Sequence, residues 1–206
     1  MRPMRPLRTG LALLLLASGA LGEGPAPLGP LHYRIEAAGS ALTWDLPATL
    51  HTVHGKAPEV SGSIDAVPGN GGDWRVDARI VVKAAAMVTG NEKRDRTMRE
   101  KVLETDRFPD IVFEARQITA DLSRFKPGER LTVEVAGDLT VHGKQAPVRL
   151  PVEVHVFPDH VVLQGSFPLS WKQYGVYDPS FGIVTVKDPL KVAFRLRAVE
   201  GPRGGP

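Results

Sequence analysis

Apolar and polar residues alternate through most of this chain, and this alternation constrains the fold more than any other feature. In residues 74–83 (WRVDARIVVK), nearly every second side chain is apolar, and Arg75, Asp77 and Arg79 occupy positions between them. Runs with the same period of two lie at residues 131–141, 148–156, 161–171 and 192–197. Strands with one buried face and one solvated face show this pattern and are typically antiparallel. We therefore predict a barrel or sandwich of roughly eight to ten strands.

Residues 91–105 (NEKRDRTMREKVLET) break this alternation. The segment starts with an asparagine, which can cap a helix, and an acidic residue follows in the first turn. Its apolar stripe is narrow and too small to be a core of its own: Met98, Val102 and Leu103. We predict one short helix that closes one end of the β structure, with Met98 and Leu103 facing inward. Arg94 and Asp95 are expected to anchor this segment to the barrel by hydrogen bonds and not to contact a ligand.

The first 22 residues have the features of a secretory signal peptide. Three arginines precede the apolar run at residues 11–16, which is too short to span a bilayer, and small residues lead up to Gly22. We expect cleavage near Gly22 and a mature protein that is periplasmic or secreted. The predicted organisation is a signal peptide at 1–22, a Pro/Gly spacer at 23–30, one domain at 31–199 and a disordered tail at 200–206.

Removal of the signal peptide changes the charge of the chain. The full sequence has 26 Lys+Arg and 23 Asp+Glu, and the three arginines of the leader account for the difference. The near-neutral mature chain shows no basic patch interleaved with aromatic residues, so we expect no nucleic acid partner. No cysteine is present, and stability must therefore come from packing and strand pairing without disulfides.

The pentapeptide TVHGK occurs twice, at residues 52–56 and 140–144. The flanking residues agree at scattered positions, which does not support a duplicated domain. Each copy contains a His-Gly pair, where glycine can adopt a positive φ. We therefore predict two hairpin turns, one at His54 and one at His142.

The same histidines raise the alternative of a metal site. His51 and His54 are three residues apart, so on a strand they point to opposite faces and cannot share a metal. No acidic or cysteine partner lies at a recognised spacing from His142. We expect neither a metal nor a cofactor. Nucleophile-elbow, phosphate-loop and dinucleotide-binding motifs are absent from the sequence, and nothing in it requires an enzyme.

Residues 88–115 (VTGNEKRDRTMREKVLETDRFPDIVFEA) resemble the central signature of the YceI-like family of exported lipid-binding proteins. In that family an Asn-x-x-Arg-Asp run leads through a short helix to an aromatic-Pro-x-hydrophobic-x-Phe strand entry. The matching residues are Asn91, Arg94, Asp95, Met98, Leu103, Phe108, Pro109, Ile111 and Phe113. Residues 139–152 (LTVHGKQAPVRLPV) resemble a family hairpin, and residues 174–198 are similar to its last two strands. The resemblance extends over about residues 31–199.

This resemblance implies a lipocalin-like antiparallel β-barrel of about eight strands, with the helix on or near one end, that encloses a long polyisoprenoid chain such as that of a quinone. The inward-facing residues are mostly aliphatic or Phe, a lining that suits an apolar chain at about 0.8 kcal/mol per buried CH₂. The predicted ligand-binding residues are Trp74, Val76, Ile80, Met98, Leu103, Phe108, Ile111, Phe113, Val133, Val135, Val152, Val154, Leu163, Phe167 and Phe194.

Three functions follow from this reading. We expect a periplasmic carrier or sequestering protein for an apolar polyisoprenoid or related lipid, with no catalytic residues and no stable membrane insertion. A lipid-modifying enzyme is an alternative, and it would need an inward polar group from Tyr174, Tyr177 or His155. The other alternative is a ligand-free stress or interaction protein with a solid barrel core. The only bound small molecule we expect is an isoprenoid or quinone-like lipid. The sequence also allows the protein to form a homodimer.

Overall fold

The computed structural model describes residues 29–69, 74–119, 125–180 and 182–201. Within these residues, nine strands form one antiparallel sheet. The strands are β1 (Leu31–Pro47), β2 (Thr52–Ala57), β3 (Val60–Pro68), β4 (Trp74–Lys83), β5 (Asp110–Thr119), β6 (Arg130–Val141), β7 (Lys144–Val156), β8 (Val161–Leu169) and β9 (Leu190–Glu200). The predicted signal peptide, most of the spacer and most of the tail lie outside the described residues.

Pairing between β1 and β9 closes eight of these strands into a barrel, and β2 is an additional strand. The first part of β1 pairs with β3, and its last part, Leu42–Pro47, pairs with β2. Opposite β9, the register of β1 shifts between Glu36 and Ala41, which marks a β-bulge that bends the strand. The predicted lipocalin-like barrel of about eight strands is confirmed.

The predicted helix is also confirmed. Helix α1 (Glu92–Thr97) is followed by a single π-helical turn, Met98–Val102. The side chain of Asn91 caps α1 by accepting a hydrogen bond from the backbone N–H of Arg94 at 3.0 Å. None of the helices in the described part of the chain is long and apolar enough to cross a membrane.

The helix belongs to one of two long connections at the same end of the barrel. Residues 84–109, which we call the cover segment, join β4 to β5. Residues 170–189 join β8 to β9 and contain a short 3₁₀ helix, Trp171–Tyr174. The shorter β1–β2 loop lies at this end as well, and residue pairing between Ala48 and Val186 joins it to the second connection.

The second TVHGK copy forms the predicted hairpin turn, between β6 and β7. His142 and Gly143 have φ values of 51° and 72°. Two consecutive positive φ angles in a two-residue hairpin loop match the right-handed twist of the flanking strands. The sequence interpretation is therefore correct for this copy.

The prediction of a turn in the first copy is wrong. Residues 52–56 lie within β2, where His54 pairs with Asp45 of β1 and Gly55 pairs with Trp44. The side chain of Trp44 explains the glycine, because a Cβ at position 55 would lie 2.1 Å from the indole ring. Gly55 is therefore required for the close approach of a ring and not for a turn. His54 points outward, where its Nδ1 donates to Asp45 Oδ1 at 2.6 Å.

Candidate functional site: an apolar cavity in one half of the barrel

The barrel interior differs between its two ends. At the end where β1 begins and β9 finishes, inward side chains from neighbouring strands are buried against one another, and we call this end the packed half. Its main side chains are Ile35, Ala66, Trp74, Val76, Leu131, Val133, Val135, Val152, Val154, Val161 and Ala198. The opposite end, beneath the cover segment, contains a cavity, and we call it the cavity half.

The cavity has a volume of about 770 Å³, within the range of about 300–1,000 Å³ that is typical of small-molecule sites. Strands β1, β2 and β4 to β9 all contribute to its wall, and every strand residue in the lining is apolar. The solid-core interpretation of the barrel therefore applies to the packed half alone. The lining also includes Met87, Met98, Val102 and Leu103 of the cover segment.

Seven of the predicted ligand-binding residues line the cavity, and eight do not. Those that line the cavity are Ile80, Met98, Leu103, Ile111, Phe113, Phe167 and Phe194. Those that do not line it are Trp74, Val76, Phe108, Val133, Val135, Val152, Val154 and Leu163. For the seven strand residues of the second group the reason is geometric, because alternation identifies the inward face of a strand but not the height of a residue along the barrel axis. Ligand binding by the first group stays a prediction.

Phe108 departs from the prediction for a different reason. Its ring packs against His142 of the β6–β7 turn, with ring centroids 4.5 Å apart. A Cβ at Gly143 would lie 2.6 Å from the same ring. Phe108 therefore packs against the β6–β7 turn and is not part of the cavity lining.

Several lining residues were missing from the prediction although the sequence contained a signal for them. Leu42, Trp44 and Leu46 alternate with polar residues in β1, and all three line the cavity. Trp171 also lines it, held by a hydrogen bond of 3.0 Å from its indole Nε1 to the carbonyl of Lys187. The alternation in β1 was recognisable, whereas the inward position of Trp171 depends on the long 170–189 connection.

Aromatic rings of the cavity wall lie over glycines of neighbouring strands. A Cβ on each glycine would come within 2.8 Å of a ring: Gly55 beneath Trp44, Gly137 beneath Phe113 and Gly165 beneath Phe194. Because no side chain occupies these positions, the rings lie against the wall and leave the centre of the barrel open. The glycines thus contribute directly to the cavity volume.

The cover segment is attached to the barrel near its amino-terminal end. Backbone hydrogen bonds of 2.9 and 3.0 Å join Val88 to Lys56 of β2. The buried carboxylate of Asp95 accepts from the backbone N–H and the hydroxyl of Thr89, at 2.8 and 2.5 Å. The guanidinium of Arg94 donates to the Thr89 hydroxyl and carbonyl oxygens, at 2.7 and 3.1 Å. Arg94 and Asp95 therefore bind α1 to Thr89, a residue of the cover segment itself, next to the Val88 link to β2. The predicted direct anchoring of these two side chains to the barrel is not what these hydrogen bonds show.

A second attachment holds the carboxyl-terminal end of the cover segment. Glu104, which has a φ of 45°, accepts from His142 Nε2 at 2.6 Å and from Arg107 Nη1 at 2.7 Å. The hydrogen bond from His142, followed by that from Arg107, lowers the pKa of the Glu104 carboxyl. The second TVHGK turn thus fastens the cover segment to the barrel.

Polar lining residues come from the connections and not from the strands. They include His51, Asn91, Lys93, Arg94, Thr97, Lys101, Tyr177 and Ser180. The exposed members, His51, Asn91, Lys93, Lys101 and Tyr177, mark the mouth of the cavity. No aspartate or glutamate of the described chain is part of the lining. Among all described residues, no group of three or more His, Asp or Glu side chains could hold a metal ion.

Two of the three polar side chains considered for catalysis, Tyr174 and Tyr177, line the cavity. Tyr174 is fully buried, and its hydroxyl has no hydrogen-bond partner among the described residues. Burial is the main cause that raises its pKa. Tyr177 is 57% exposed at the mouth. His155 lies outside the lining, 3.8 Å from Glu153.

Solved structures of other proteins share this fold. A polyisoprenoid binding domain from Saccharophagus degradans matches with a TM-score of 0.68 at 20% identity, covering 83% of this chain and 99% of its own. Burkholderia cenocepacia BcnA matches with a TM-score of 0.65 at 19% identity, covering 80% and 99%. For Campylobacter jejuni YceI these values are 0.56 and 14%, covering 94% and 100%.

A comparison with curated proteins finds no match for this chain. A comparison with family profiles does find one, because the YceI-like domain matches residues 33–198. This range contains the strands that line the cavity, the cover segment and the 170–189 connection. The chain therefore belongs to the YceI-like family.

Proposed function

We propose that this protein binds a polyisoprenoid or related apolar lipid in the cavity and acts as its carrier or sequestering protein in the periplasm. The observation that carries the proposal is the 770 Å³ cavity, whose strand-derived wall is entirely apolar. The similar domain from Saccharophagus degradans is described as polyisoprenoid binding, which supports the same class of ligand.

The energetics of the cavity favour a chain-like ligand. Burial of about ten CH₂ groups contributes about 8 kcal/mol, which equals the free energy of a micromolar Kd before the cost of association is subtracted. The flexible thioethers of Met87 and Met98, both in the lining, can adapt to an irregular chain. Polar lining residues lie in the connections, so a head group would be placed at the mouth.

Binding without chemistry is the simpler function for this site. Every strand residue of the cavity wall is apolar, and the buried Tyr174 hydroxyl has no hydrogen-bond partner among the described residues that could activate it. The basic leader, apolar run and small residues before Gly22 support export to the periplasm.

Native mass spectrometry of the exported protein tests the proposal. The full chain, expressed with its own leader, should be recovered from the cell envelope with an added mass that organic extraction removes and identifies. The extracted lipid should be unchanged after incubation with fresh protein. Phe167→Glu, a matched variant in the cavity wall, should be recovered without the added mass.

Two results would contradict parts of this proposal. If the wild-type protein carries no lipid and binds no fluorescent isoprenoid probe, the binding function is wrong. Amino-terminal sequencing should find a start near Glu23, and an exported protein that still begins at Met1 would contradict the predicted cleavage.

A further inference from the structure

Exposed apolar side chains are concentrated at the cavity end of the barrel. Among the described residues, the large hydrophobic side chains with high exposure are Ile183 (81%), Leu50 (64%), Tyr177 (57%) and Phe157 (41%). Leu50 precedes His51, and Ile183 precedes Val184, both of which line the cavity, and Tyr177 lines it directly. Phe157 lies at the opposite end and is stacked on His160.

Leu50 and Ile183 belong to two loops that are bonded to each other. The backbone N–H of Thr49 donates to the carbonyl of Thr185 at 3.0 Å, and the N–H of Thr185 donates to the Thr49 hydroxyl at 3.1 Å. The two exposed side chains therefore lie next to this shared pairing, on neighbouring loops of one rim. This pairing fixes both exposed side chains at the same rim, where they are available to a common apolar surface.

The opposite side of the mouth is cationic. Lys93 and Lys101 both line the cavity and are exposed, with Thr97 between them at a spacing of four. Neither lysine has an ion-pair partner within the described residues. The acidic residues of this helical segment are Glu92 and Glu100, which do not line the mouth, and Asp95, which is buried and bonded to Thr89.

An acidic residue is also present on the apolar side of the mouth. Asp178 follows Tyr177, and its carboxylate accepts from the backbone N–H of Ser180 at 2.9 Å. Hydrogen bonds from Ser180 lower the pKa of Asp178, so its negative charge is retained near neutral pH. The exposed Lys172 of the same connection also lowers the pKa of Asp178 and so offsets its charge. The lysines that line the mouth itself come from α1 and the π-helical turn.

We propose that this rim docks onto the surface of an anionic phospholipid bilayer, with Leu50, Tyr177 and Ile183 entering the interface and Lys93 and Lys101 contacting the head groups. Exposed hydrophobic residues combined with lysines are the combination that binds such an interface. The inference rests on the proposed lipid-binding function, because docking in this orientation places the cavity mouth against the membrane. An apolar chain then passes between bilayer and cavity without crossing water.

Vesicle flotation tests the docking surface. The mature protein should float with vesicles of phosphatidylcholine and phosphatidylglycerol, and much less with phosphatidylcholine alone. Leu50→Ser with Ile183→Ser should lower partitioning onto the anionic vesicles at least about tenfold, since these side chains contribute the apolar contact. Lys93→Gln with Lys101→Gln should lower it about 25-fold, from about 1 kcal/mol per lysine, and should reduce its dependence on salt.

A matched variant and a second measurement separate docking from ligand binding. Phe157→Ser with Lys126→Gln removes the same kinds of side chain from the opposite end and should float like the wild type. Leu50 and Ile183 lie outside the cavity lining. The variant that carries Leu50→Ser and Ile183→Ser should therefore bind a fluorescent isoprenoid probe like the wild type in vesicle-free buffer.

The inference is overturned if the wild type does not float with anionic vesicles or if the variant with Leu50→Ser and Ile183→Ser floats like the wild type. It is also overturned if the opposite-end control loses as much partitioning onto these vesicles as the rim variants do. Failure of the wild type to bind the probe, with flotation intact, would instead overturn the proposed function and support the docking surface.

Discussion

The packed half and the cavity half of the barrel are built from the same strands, yet they have different interiors. Strand β6 passes through both, with Leu131, Val133 and Val135 in the packed half and Leu139 and Val141 in the cavity wall. All five side chains face inward and are buried. The difference between the packed half and the cavity half therefore does not arise from the apolar–polar alternation within a strand. It arises from the residues that surround each position in the folded barrel.

Three structural features distinguish the cavity half. The bulge in β1 lies between the two parts of that strand, β2 supplies an additional stretch of wall, and glycines accommodate the aromatic rings. Long connections cover this end, and their side chains do not fill it. We infer that close packing in the packed half stabilises the barrel and thereby allows the other half to contain a cavity.

Matched leucine substitutions on β6 test this division and should give the largest effect. Leu131→Ala should lower the free energy of unfolding by an amount near the top of the usual range of about 2–5 kcal/mol, because it creates a new void in close-packed surroundings. Leu139→Ala should fall near the bottom of that range, because it enlarges an existing cavity. Urea denaturation measures both, and equal losses would contradict the division.

The glycine beneath Trp44 provides a test within the cavity half. A Cβ in Gly55→Ala would lie 2.1 Å from the indole ring, so the ring must move toward the cavity centre. We expect a stability loss of about 1–3 kcal/mol from overpacking, together with weaker binding of long isoprenoid probes. Trp44→Leu added to Gly55→Ala should restore stability in part. Gly29→Ala, where a Cβ contacts nothing, is the matched control.

The sequence predicted the barrel through its strands and predicted little of the cavity's position. Residues 74–83 alternated strictly enough to identify β4 with its correct bounds, and Asn91 correctly indicated the start of α1. The turn at His54 was mistaken because the Trp44 ring that requires Gly55 is brought there by pairing between β1 and β2. Such requirements depend on contacts between strands, which a local pattern does not contain.

The cover segment should affect binding more than stability. Met98 lines the cavity and is half-buried, so Met98→Glu would place a carboxylate against an apolar ligand while water still reaches it in the free protein. We expect at least about tenfold weaker binding of an isoprenoid probe, equal to about 1.4 kcal/mol, and a shift of a few degrees in Tm. Met98→Leu should bind normally. Unchanged affinity, or complete unfolding, would show that this segment does not cover the ligand.

The attachment of the cover segment to the β6–β7 turn should depend on pH, with the smallest effect. Hydrogen bonds from His142 and Arg107 hold the pKa of Glu104 below its ordinary value of 4.5. The unfolded chain therefore binds this proton more readily than the folded one, so the contribution is present above pH 4.5 and is lost as the pH falls through the lowered value. Asp159 and Asp178 also have lowered pKa values and affect global stability over the same acidic range.

A local measurement is therefore needed to isolate Glu104. Amide hydrogen exchange of residues 98–105, corrected for intrinsic rates, should show protection in the wild type at neutral pH that decreases below pH 4.5. Glu104→Gln should be less protected already at neutral pH, because an uncharged amide accepts more weakly from His142 and Arg107. Glu100→Gln, an exposed substitution in the same segment, should behave like the wild type. If Glu104→Gln retains the protection, then the backbone and the Thr89 network alone hold the cover segment in place.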